Sequence, residues 1–197
     1  DDDTWAVSIS ADGEYIAVGS DDSTIYYFER DSSTPLWKHD TEGDVYSVDI
    51  SADGKYVALG AQNDLYLFNR NSNTPLWNYT ATDVSGFYEI SFSSDGEIIA
   101  AVGSATGSCC KGQVYLFDKD SSTPLWSYET LGWAVSASVS GSGDYIAVGC
   151  SQYTGDSYER LYLFGKSSST PLWSYNNNGD IKTVDISADG EYIVIGT

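Results

Sequence analysis

The chain has 197 residues, 41% of them aliphatic, aromatic or cysteine, which is enough for one domain with a sizeable core and argues against disorder. Twenty-nine acidic residues against nine basic ones give a net charge of −20; such a polyanion repels nucleic acid and anionic membrane, because binding phosphate takes clustered Lys and Arg. No apolar run approaches the roughly 18 residues of a membrane helix, and a single histidine, His39, argues against histidine metal sites and against a Ser–His–Asp triad, for which no G-x-S-x-G turn is present either.

The first predicted element begins at Trp5 and alternates large and small residues, with Val7 and Ile9 on one face and Ser8 between them. The same strand returns with Val48 and Ile50, Ile90 and Phe92, Ala137 and Val139, and Val184 and Ile186, separated by Asp49, Ser91, Ser138 and Asp185. This reads as a large-residue face interdigitating with a small-residue face. Next comes S-A-D-G-E-Y-I-A-V-G at Ser10, which recurs at Ser51, Ser93, Ser140 and Ser187. Its Asp favours turn initiation and its Gly takes the positive φ that closes a hairpin, so a second strand follows each turn. The glycines closing these strands, Gly19, Gly60, Gly103, Gly149 and Gly196, are spaced by 41, 43, 46 and 47 residues.

A third, aromatic strand holds Tyr26-Tyr27-Phe28, Tyr66-Leu67-Phe68, Tyr115-Leu116-Phe117 and Tyr162-Leu163-Phe164. A fourth opens at T-P-L-W, beginning at Thr34, Thr74, Thr123 and Thr170. Proline lacks a ladder N–H and suits the start of an edge strand, which the fourth strand of a blade is. Four short strands repeating every 40–50 residues make a β-propeller blade. The expected fold is therefore all-β, a single propeller of four-stranded antiparallel blades at about 4–40, 45–80, 87–129 and 134–176, with two strands of a fifth at 180–197. Such an arc is expected to belong to a larger ring of six to eight blades, or to associate head to tail with copies of itself, since its end faces would otherwise be exposed.

At these residues the chain resembles WD40-like and PQQ-like propeller repeats, and looks closest to those of archaeal cell-surface proteins. The first three strands, V-x-I-S-x-D-G-x-Y-I-A-V-G followed by Y-L-F, are WD40-like, and P-L-W-S-Y is similar to the tryptophan strand of PQQ-like repeats. No Gly-His pair precedes the first strand, and Phe28, Phe68, Phe117 and Phe164 stand where WD40 repeats place a Trp, so that family's hydrogen-bond network is not expected. The resemblance implies a fold and a habit of binding partners rather than an activity.

Variation concentrates on one rim, where second strands turn into third strands and fourth strands lead to the next blade. From the closing glycine to the third strand there are 5 and 4 residues in blades 1 and 2, but 10 and 11 in blades 3 and 4. Long loops on a rigid scaffold are where binding resides. Cys109, Cys110 and Cys150 all fall in those insertions, which suggests a disulfide from Cys150 to Cys109 or Cys110, or a vicinal Cys109–Cys110 bridge of the kind quinoprotein alcohol dehydrogenases carry, with simply reduced cysteines as the alternative. Arg30, Arg70, Lys119 and Lys166 recur just after the third strand and are expected to pair with the turn aspartates Asp12, Asp53, Asp95 and Asp189. Asn78-Tyr79-Thr80 is a glycosylation sequon. Trp37, Trp77, Trp126 and Trp173 recur once per blade and are expected to anchor blade to blade.

No catalytic, cofactor-binding or metal-ligating set emerges. The expectation is a non-enzymatic extracellular or cell-surface module, structural or adhesive, binding protein or glycan through the variable rim. A PQQ-type quinoprotein oxidoreductase and an intracellular scaffold are the alternatives.

Overall fold

A computed structural model describes residues 3–107, 110–151, 160–176 and 179–197. Blade 1 consists of β1 (Thr4–Ile9), β2 (Tyr15–Ser20), β3 (Thr24–Glu29) and β4 (Trp37–Asp40); blade 2 of β5 (Val45–Ile50), β6 (Tyr56–Ala61), β7 (Asp64–Asn69) and β8 (Trp77–Thr80). Blade 3 has β9 (Val84–Phe92), β10 (Ile98–Ala105), β11 (Gly112–Asp118) and β12 (Trp126–Thr130). Blade 4 has β13 (Trp133–Val139), β14 (Tyr145–Ser151), β15 (Leu161–Gly165) and β16 (Trp173–Tyr175), and β17 (Thr183–Ile186) pairs with β18 (Ile193–Gly196). Each four-stranded sheet is an antiparallel meander in chain order. The architecture is that of a propeller, with the first strands of successive blades side by side.

The glycine of each S-A-D-G turn, and of its degraded form in blade 4, lies at φ +66 to +75° in Gly13, Gly54, Gly96, Gly143 and Gly190. The turn aspartate fixes the rest. Asp12 accepts from the Ser10 hydroxyl and the Glu14 N–H, and Asp53, Asp95 and Asp189 repeat this pair of bonds. These hydrogen bonds hold the Asp12 and Asp189 carboxyls below the usual range. The expected partnership with the recurring cations is therefore corrected. Arg30 pairs with Glu14 and Asp31, and Lys119 with Glu97 and Asp120. Each turn aspartate gives one oxygen to the turn, and the second oxygen of Asp53 pairs with Lys55 rather than with a recurring cation.

The core is divided into slabs, one between each pair of neighbouring blades. The closing glycines of the second strands are the recesses that let blades approach. A Cβ on Gly19 would sit 2.5 Å from Val45 Cγ1, and one on Gly60 2.6 Å from Phe87 Cβ, each in the following blade.

The small face of the first strand is more than a filler. The Ser8 hydroxyl donates to Asp49 at 2.9 Å, and Asp49 in turn accepts from the Phe92 N–H of blade 3 at 2.8 Å. Ser47 accepts from the Ile90 N–H, Ser91 from Val139, Ser136 from Val184 and Ser138 from Ile186. Side chains of one blade thus satisfy peptide N–H groups of the next, a blade-to-blade network built without the WD40 residues. At the ends of the arc, Val7 and Ile9 of β1 and Val194 of β18 are 57–69% exposed.

Candidate functional site

Because each blade runs down, up, down and up, the second-to-third turns and the links to the next blade share one rim, called the upper rim here. The blade-3 insertion on that rim is partly strand. β10 runs to Ala105, Ser104 pairs with Gly112, and β9 starts at Val84, before the expected 87, to pair with Ala105. Blade 3 is therefore taller than blades 1 and 2, and only Thr106 to Lys111 separate its two middle strands.

Near the upper rim, the first strands of blades 1 to 4 each carry a β-bulge. The register skips one residue at Trp5, Tyr46, Tyr88 and Val135. A bulge re-aims a side chain out of the sheet's alternation. Trp5 is 61% exposed and Tyr88 40%, and the Tyr46 and Tyr88 rings lie 5.6 Å apart at 44°. Tyr88 and Val135 also border a groove of about 450 Å³ with Ser85, Ser104, Ala105 and Trp133. Sequence reasoning pointed to this rim through its loop lengths but did not single out these aromatics. Their signal was the recurrence of a large residue two positions before Val7, Val48, Ile90 and Ala137.

The cysteine expectation is corrected in part. Cys150 belongs to β14 and faces the slab between blades 3 and 4, 1% exposed and carrying a free thiol. Burial pushes that thiol up to about 12, with the Thr130 hydroxyl acting in the opposite direction. With its thiol free, Cys150 does not form the expected bridge. Cys110 is half-buried, and Cys109 lies outside the described residues, as does any vicinal bridge it would make.

Trp37, Trp77 and Trp126 lie half-buried between blades. Their indole Nε1 groups donate to the carbonyls of Arg70, Lys119 and Lys166 at 2.7, 2.7 and 2.9 Å. Trp173 is 42% exposed. Two recurring cations face tyrosines of the preceding blade, the Arg70 guanidinium 4.9 Å from the Tyr15 ring centre and the Lys119 ammonium 6.0 Å from that of Tyr56. Asn78 is exposed on β8. His39 is occupied structurally, its Nδ1 2.9 Å from the Asn73 carbonyl and its ring edge-on to Phe68.

One inner strand places a charge where its neighbours have a serine. Glu89 stands where Ser47 and Ser136 accept a peptide N–H from the next blade, and forms no hydrogen bond among the described residues. Burial, and secondarily the charge of Asp49, push its carboxyl up to about 7.

A family model described as the WD domain, G-beta repeat, matches residues 1–29, the first three strands of blade 1. No curated protein matches the chain. Among matching solved structures is Kuenenia stuttgartiensis hydrazine synthase, with 16% identity and a TM-score of 0.78 over 98% of this chain and 61% of that one. At that identity the likeness shows the fold alone. These findings agree with WD40-like propeller repeats, an architecture shared by many activities.

Proposed function

We propose that this chain is a non-enzymatic protein-interaction module, placed outside the cell or on its surface, whose contact surface is the upper rim. The observation that carries the reading is the bulge repeated in four blades, which presents Trp5, Tyr46 and Tyr88 on the rim where the taller blade 3 also stands. Aromatic residues supply much of the binding energy of protein contact surfaces. The exposed sequon residue Asn78 and the net charge of −20 support the extracellular setting.

Labelled protein screened against peptide and glycan arrays tests the reading. Binding is expected to be lost in Tyr88→Ser/Trp133→Ser and kept in Lys55→Ser on the opposite rim, each variant retaining the native unfolding midpoint. Hits indifferent to the upper-rim pair would discard the proposal.

Head-to-tail association of copies is a second reading, favoured by the end faces. β17 exposes Thr183 and Asp185 at the positions where Ser47 and Asp49 accept N–H groups of the following blade. The exposed β1 carries Val7 and Ile9, the counterparts of the donors Ile90 and Phe92. Light scattering across a concentration series checks it; a monomer throughout removes it.

A further inference from the structure

We infer that the upper rim receives a cationic side chain, the guanidinium or ammonium of a partner protein's arginine or lysine, on the ring faces of Tyr46 and Tyr88. The inference rests on the upper-rim reading above and names the chemistry that surface takes.

Two features of the molecule point to it. The first is how charge is divided between the rims. Arg30, Lys55, Arg70, Lys119 and Lys166 all lie in the turns of the lower rim. The upper-rim cations among the described residues are Lys111, Arg160 and Lys182, and each is already in an ion pair, with Glu129, Asp180 and Asp180 respectively. Asp3, Asp22, Glu42 and Asp44 on the same rim form no ion pair among the described residues. One Asp21 oxygen, in the blade-1 loop there, is buried without a hydrogen-bond donor among them. Carboxylates outnumber cations on both rims, but on the upper rim the described cations are already paired while these carboxylates are not, which attracts a positive partner.

The second feature is the aromatic pair inside that field. Tyr46 and Tyr88 are in ring contact, Gly86 backs the Tyr46 ring closely, and burial, with the Asp44 charge second, keeps the Tyr46 phenol protonated to higher pH. The negative face of an aromatic ring attracts a cation, most strongly where neighbouring carboxylates add to the field. The lower rim shows the arrangement complete, with Arg70 over Tyr15 and Lys119 near the Tyr56 ring. On the upper rim the rings and carboxylates are in place, and the partner brings the cation. The groove beside Tyr88, lined in part by the hydroxyls of Ser85 and Ser104, gives the rest of that partner's segment a bed. A neutral sugar would gain from the rings and hydroxyls but nothing from the charge.

Titration with a blocked hexa-arginine peptide, followed by calorimetry at low and high salt, tests the inference. Saturable one-to-one binding is expected. Tyr88→Phe keeps the ring face and retains the affinity, whereas Tyr88→Leu keeps bulk and charge but weakens binding about fivefold at both salt concentrations. Glu42→Gln/Asp44→Asn weakens it chiefly at low salt. Equal affinity of Tyr88→Leu and the parent would overturn the inference, since charge alone would then explain the binding. So would a neutral oligosaccharide that binds in a Tyr88-dependent way while the peptide does not bind, an outcome that leaves the upper-rim reading standing. If no ligand in either class responds to any upper-rim substitution, the upper-rim reading itself fails.

Discussion

Replacing Trp77 with alanine is expected to lower stability by about 3–5 kcal/mol. The indole lies between blades 2 and 3, stacked on Phe117 at 5.7 Å and donating to the Lys119 carbonyl at 2.7 Å. Truncation opens a cavity against the slab that holds Leu65, Leu67 and Phe117, and leaves that carbonyl without its donor. Trp77→Phe isolates the second effect, because it keeps an aromatic ring and removes the N–H; its loss of the bond is worth about 1 kcal/mol. Trp173 is the internal control. It carries the same motif but is 42% exposed, so its alanine variant should cost less than about 1 kcal/mol. Denaturant titrations of both alanine variants make the comparison, and equal losses would defeat the blade-to-blade account.

Substituting Glu89 with serine is expected to stabilise the protein at neutral and alkaline pH and to do so much less in acid. The folded-state value of about 7 lies above the ordinary 4.5, so the folded chain holds the Glu89 proton more tightly than the unfolded one. The resulting penalty is absent below pH 4.5, grows as pH rises, and is fully present above about 7. That gap corresponds to at most about 3 kcal/mol, and partial solvent access reduces it to about 1–2 kcal/mol. Serine additionally restores the acceptor that Ser47 and Ser136 supply in their blades, here for the Ala137 N–H. Urea titrations of the parent and Glu89→Ser at pH 5 and 8 read the difference. An advantage of the same size at both pH values would mean that packing rather than charge is responsible. Glu89→Gln separates the two further, because it removes the charge without shortening the side chain.

The sequence located Glu89 on a first strand but gave no reason to single it out. Its oddity appears only when it is set beside Ser47 and Ser136, whose hydroxyls act on a neighbouring blade about 43 to 48 residues further along the chain. Asp49 is a similar case. By pattern it is one small residue between Val48 and Ile50; in three dimensions it joins Ser8 of blade 1 to Phe92 of blade 3. The cysteines show the opposite error. Loop length suggested that Cys150 was exposed, yet β14 extends one residue past it and turns it inward.

By itself the sequence determined the strands, the turns between them and the four-stranded blade. Alternation with a period of two, the S-A-D-G turn and the proline before each edge strand are local in chain, and their chemistry acts over a few residues. Tertiary structure alone decided which side chains serve another blade, which way the bulged aromatics point and how charge divides between the rims. Those outcomes depend on partners one blade away, and on a one-residue bulge that reverses the facing of a side chain without altering the repeat that encodes it.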